Sequence, residues 1–145
     1  MRLLPLLLTS LLLTAGSASA QQRLLYTSAD LPGTLSAKPL KSIRTGIGRF
    51  LTVRYQDGTE ERVPKTSIWG YVDKKNRTFR RLKHRFLEVN KIGDLVEYVS
   101  HDMEPIGANG ETMSVTNYYF SKTLDSAVYA NRKKALRMPA EVENP

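Results

Sequence analysis

Between Lys74 and Arg85 the chain places seven cations within twelve residues and no acid among them: Lys74, Lys75, Arg77, Arg80, Arg81, Lys83 and Arg85. Guanidinium forks pair bidentately with phosphate, carboxylate and sulfate, and clustered charge raises the local anion concentration. The chemistry this run offers is therefore anion binding. Side chains alternate along a strand, so Arg77 and Arg81 flank Phe79 on one face while Arg80 shares the other with Leu82. The competing reading is a solvated edge hairpin, where lysine and arginine discourage edge-to-edge association. A second basic cluster, Arg132, Lys133, Lys134 and Arg137, extends the first if the segment bearing it packs beside the hairpin.

Trp69-Gly70-Tyr71 is the most distinctive apolar motif. Trp69 and Tyr71 can stack on a sugar ring and Gly70 lets a ligand approach the backbone; the alternative is a core tryptophan packed over a glycine. The histidines are His84 and His101. His101, Asp102 and Glu104 offer imidazole and carboxylates to a metal, yet adjacent strand residues point to opposite faces and do not converge. Asp102, Glu104, Asn109 and Glu111 are oxygen donors suited to calcium without the ordered spacing of a calcium loop. No GxSxG, HExxH or P-loop pattern occurs. No catalytic residue, metal ligand or cofactor site is assigned.

These residues must be held by strands. From Phe50 onward, short β-branched and aromatic runs alternate with turn signals: Phe50–Tyr55, Glu60–Val63, Ile68–Val72, Thr78–Leu82, Arg85–Asn90, Leu95–Ser100 and Thr112–Phe120. Asp57-Gly58 between the first two is a strong hairpin signal. The spacing predicts an all-β fold: a single antiparallel meander, small barrel or sandwich of about seven short strands with a short C-terminal helix. Asn131 is the expected N-cap of that helix, which runs to Met138 before Pro139. Asp102–Glu111, with Pro105, Gly107 and Asn109-Gly110, reads as a long loop. Runs this short and this few do not suit a transmembrane barrel. The expected core draws on Leu51, Val53, Ile68, Trp69, Phe79, Leu87, Val89, Val96, Tyr98, Val115 and Tyr119.

Residues 1–20 read as a signal peptide: Arg2, a leucine-rich run from Leu3 to Leu13, then Ala18-Ser19-Ala20 as the cleavage site. That run is shorter than the roughly 18 to 20 residues of a membrane-crossing helix, so no transmembrane segment is expected after cleavage. Residues 21–48 follow as an irregular arm with a short strand near Leu40–Arg44, 49–138 as the β-rich domain with its terminal helix, and 139–145 as a frayed tail. Export to the periplasm, the outer-membrane periphery or the medium makes nucleic acid a poor partner for a net charge of +8. The anions to expect there are lipid A, acidic phospholipid and acidic glycan, or an acidic protein. With no cysteine, no disulfide supports the core and no thiolate chemistry is available.

At Asp57-Gly58-Thr59, Val63-Pro64, Ser67-Ile68-Trp69-Gly70-Tyr71, Tyr98 and Tyr118-Tyr119-Phe120-Ser121-Lys122, the chain resembles small uncharacterised exported β-rich proteins of Bacteroidota. The resemblance implies a β-rich domain and a bacterial envelope setting, and no activity or site residue. In that setting Asp125-Ser126-Ala127 looks like an O-glycosylation motif. The functional expectation is a non-catalytic envelope binding or accessory protein using the basic hairpin; the alternative is a small hydrolase or ligand carrier with a pocket near Trp69, Tyr71 and His101.

Overall fold

The computed structural model describes residues 21–31, 38–106 and 109–140; residues 1–20, expected as a signal peptide, and most of the expected tail lie outside them. Among the described residues the chain forms two antiparallel sheets. The larger takes β1 (Arg23–Leu25), β5 (Gly70–Val72), β6 (Thr78–Leu82), β7 (Arg85–Ile92), β8 (Val96–Ile106) and β9 (Glu111–Ser121), in that spatial order. The smaller takes β2 (Leu40–Arg44), β3 (Phe50–Tyr55) and β4 (Glu60–Pro64). One helix, α1 (Arg132–Arg137), follows. Both sheets are open, which resolves the choice among meander, barrel and sandwich in favour of two packed layers. The N-terminal arm supplies the expected strand at Leu40–Arg44, β2, and one further strand, β1.

The turns follow their local chemistry. Gly58 takes φ +87° between β3 and β4, and Asp57 Oδ1 accepts from the Thr59 amide at 2.9 Å and its hydroxyl at 2.6 Å. A carboxylate bonding the backbone two residues on is a turn device in its own right. Asn131 Oδ1 accepts from the Lys134 amide at 3.2 Å, capping α1 and seating buried Ala135.

One expectation is corrected. Asp102–Glu111 is not a long loop: β8 runs to Ile106 and β9 starts at Glu111, paired from Ile106↔Glu111 to Val96↔Ser121. The two strands project as a ribbon beyond the reach of β7, whose pairing with β8 ends at Val99. Both faces of such a ribbon meet water, so the hydrophobic alternation that would announce a strand is not needed there. Pro105 is tolerated because β8 has a single neighbour at that point.

Register sorts the large sheet into two faces. Leu24, Tyr71, Phe79, Glu88 and Val99 form one cross-strand row, and Leu25, Gly70, Arg80 and Leu87 form the next. The first face meets the small sheet, where Leu40, Leu51, Val53, Val63 and Ile68 are buried with Leu24, Ile43, Tyr55 and Phe86 against them. The second face gathers Leu87, Val96 and Tyr98 beneath Leu124 and Val128 of the C-terminal segment. Each such aliphatic side chain contributes about 1.5–3 kcal/mol when removed from water. Of the expected core, Trp69, Phe79, Val89, Val115 and Tyr119 are only half-buried.

Four carboxylates sit below the ordinary value of 3.8. The Thr27 amide, then that of Tyr26, lowers Asp30, and the Thr59 hydroxyl followed by Lys38 brings Asp57 to about 2. The Ser100 hydroxyl and the Asn117 amide lower Asp102. For Asp73, burial acts upward but is outweighed by the backbone and guanidinium of Arg77. Stability from depressed carboxylates is present above the unfolded value and is lost as pH falls through the folded one. The melting temperature should therefore drop steeply below about pH 4, with a shallower drop in Asp73→Asn. A melting temperature that is flat down to pH 2 would refute this assignment.

Candidate functional site

A cleft of about 530 Å³ lies between the sheets, bounded by the β2–β3 loop from Thr45 to Gly48 and by Lys65, Tyr71, Phe79, His84, Arg85, Phe86, Glu88, Val99, Ser100, His101 and Asp102. Gly48 takes φ +125°, a conformation that glycine adopts without strain. Three aromatic rings form the floor. Tyr71 stacks on Phe79 at 4.8 Å between centroids and meets Phe86 edge-on at 5.1 Å. These rings converge because Tyr71 and Phe79 are register partners, and Phe86 pairs with Arg81 one step along. Burial, the largest influence, pushes the Tyr71 phenol up.

Lys65 is the unusual member. It is 6% exposed and sits in the short 3₁₀ turn that follows β4. Its ammonium donates to the Gly46 carbonyl at 2.8 Å and the His84 carbonyl at 3.4 Å, and lies 6.0 Å from the Phe86 ring. Both acceptors are neutral, and no carboxylate pairs with Lys65 among the described residues. A buried ammonium ordinarily has a counter-charge. The sequence showed no sign of this residue's burial, since Pro64-Lys65-Thr66-Ser67 looks like any polar turn.

The basic run is dispersed. Arg80 is 5% exposed and points to the face opposite the cleft, donating to the Tyr98 hydroxyl at 2.8 Å and the Ser126 carbonyl at 3.0 Å. Arg77 is pinned to Asp73 at 2.7 Å and Glu88 at 3.3 Å and lies 5.3 Å from the Phe79 ring. Arg81 donates to the Ile68 carbonyl at 3.2 Å. Arg85 donates to the Tyr119 hydroxyl at 2.7 Å and lies 3.7 Å from Asp102. Lys74 and Lys75 sit in the β5–β6 turn and Lys83 in the β6–β7 turn, exposed and separated by the length of β6. Five residues at roughly 3.3 Å each span about 17 Å. The seven cations expected as one anion-binding surface thus comprise one buried arginine, three engaged ones and three lysines at opposite strand ends. The cluster on α1 does not extend them, because α1 packs on β9, three strands from β6.

Tyr71 lines the cleft and Trp69 does not. Trp69 is half-buried, with its amide donating to the Leu25 carbonyl at 2.8 Å and its carbonyl accepting from the Arg81 amide at 2.8 Å. Its backbone thereby continues the β1–β5–β6 ladder. Ser100 bonds Asp102 at 2.8 Å, and His101 meets Thr116 at 3.3 Å. Alternation on β8 sends these two pairs to opposite faces, so hydroxyl, imidazole and carboxylate do not line up. Among the described residues no group of three or more His, Asp or Glu side chains is placed to hold a metal ion. No helix there is long and apolar enough to cross a membrane. Ser126 of the glycosylation-like motif is buried, its hydroxyl donating to the Thr123 carbonyl at 3.2 Å. The chain matches no protein-family model, no curated protein and no solved structure.

Proposed function

We propose that this chain is an exported, non-catalytic binding protein of the cell envelope, and that it takes an anionic ligand in the cleft between its two sheets. The observation that carries this reading is the buried Lys65 ammonium, held by two neutral carbonyls beside an aromatic floor. An anion there supplies the missing counter-charge in a site of low dielectric, where the pairing is strongest. His84 and His101 add further donors on the same opening. A cleft of about 530 Å³ is of the size that takes small ligands. The aromatic lining of Tyr71, Phe79 and Phe86 suits the apolar face of a sugar ring, so among envelope anions the acidic glycan fits best.

Calorimetric titration with a galacturonic acid disaccharide and with its neutral galactose counterpart tests the reading. Binding is expected for the acidic sugar alone, weakening with salt. It should fall at least tenfold in His101→Glu, an exposed position whose change leaves the core intact, and be unmoved in Lys75→Glu. Equal affinity for the neutral sugar, or indifference to His101→Glu, would sink the proposal. A second reading rests on Lys74, Lys75 and Lys83, which are exposed and have no partner side chain among the described residues. Retention on acidic phospholipid vesicles, abolished by changing these three lysines to glutamate, would favour that surface over the cleft.

A further inference from the structure

The outer edge of β9 is open and differs from every other sheet edge in the molecule's described residues. β1 is three residues long. β2 carries Lys41 and Arg44 and a bulge between Leu40 and Ser42, and β4 carries Glu60, Glu61, Arg62 and Pro64. Short length, charge, bulges and proline are the devices that keep strand edges from pairing. From Thr112 to Tyr118 β9 has none of them: the run Thr-Met-Ser-Val-Thr-Asn-Tyr lacks charge and proline and pairs with β8 without a bulge.

The direction of its free groups is defined. The Phe120 amide donates to the Tyr129 carbonyl at 2.7 Å, and the Tyr129 amide returns to Phe120 at 2.8 Å, so the backbone groups of Phe120 face away from β8. Alternation then turns those of Thr112, Ser114, Thr116 and Tyr118 outward as well. Tyr129 closes the edge at Phe120 and leaves the four others open.

We propose that this edge is a self-association surface, and that two copies of the chain pair β9 to β9 in antiparallel fashion about a two-fold axis at Val115. That register sets Thr112 against Tyr118 and Ser114 against Thr116, so every outward group finds a partner, and it sets Met113 against Asn117 and Val115 against itself. No like charges oppose each other. The same register brings the acidic ribbon tip of one copy, Glu104 and Glu111, toward the end of β9 where the other carries Arg132, Lys133, Lys134 and Arg137. Charge complementarity is what favours a second copy over an unrelated extended segment, because the acidic tip and the basic helix belong to one chain at opposite ends of one strand.

Sedimentation equilibrium of the cleaved chain should show a dimer that dissociates as salt is raised. Thr116→Pro removes an outward amide without touching the β8 ladder and should raise the dimer dissociation constant at least a hundredfold. The chain has no cysteine, so Val115→Cys places a single thiol on the proposed axis. Directly opposite strand residues have β-carbons roughly 4.5–5.5 Å apart, within reach of a disulfide after modest adjustment. With diamide taking up the two electrons and two protons, the variant should form a disulfide dimer on a non-reducing gel. A chain that stays monomeric at all concentrations overturns the proposal and leaves the edge to a segment of another protein. A dimer that persists in folded Thr116→Pro, or fails to cross-link through Val115→Cys, overturns it too. If Thr116→Pro does not fold, the cross-link alone decides.

Discussion

Gly70→Ala should unfold the β1–β5–β6 edge and cost on the order of 3 kcal/mol or more of stability. Gly70 is buried and pairs with Arg80. A β-carbon at this position would overlap the Phe79 carbonyl oxygen and come within 3.0 Å of its carbon and 3.3 Å of Arg80 Cα. These are backbone atoms in a ladder, so no side chain can swing aside to make room. The strands must separate, and with them goes the contact between Tyr71 and Phe79 that makes the cleft floor. Urea denaturation should show a midpoint well below wild type, and sugar binding should weaken in the same variant. An unchanged midpoint would mean that β5 and β6 are not packed as described.

Arg80→Met should cost about 3 kcal/mol, whereas Lys74→Glu and Lys75→Glu should each stay within about 0.5 kcal/mol of wild type. The methionine keeps much of the arginine's length but removes the donors to the Tyr98 hydroxyl and the Ser126 carbonyl. Tyr98 retains Ser121 at 2.9 Å, while the Ser126 carbonyl loses its guanidinium, and leaving such a buried acceptor unmatched is costly. The same arginine also ties the C-terminal segment to the sheet across 46 positions of sequence, so limited proteolysis should release that segment earlier in the variant. Equal losses at positions 80 and 75 would show that the basic run acts as one surface after all.

The sequence by itself determined the antiparallel all-β class, most strand positions from Phe50 onward, the Asp57-Gly58 hairpin and the capped terminal helix. Each depends on local signals: alternation, the positive φ that glycine accepts, and a side chain bonding a nearby amide. The Asp102–Glu111 ribbon escaped notice because its strands have no buried face to impress a pattern on them. Even the alternation within the basic hairpin was legible, since Arg77 and Arg81 do flank Phe79. What alternation cannot show is which face the rest of the chain will cover. That was decided by the C-terminal segment lying over the Arg80 face and the small sheet lying over the Tyr71 face. Those two non-local contacts turned an arginine in a conspicuous run into a core residue and an inconspicuous lysine, Lys65, into the buried charge of a cleft. Burial is a property of what packs above a residue, and the residues that do so here lie 19 and 46 positions away.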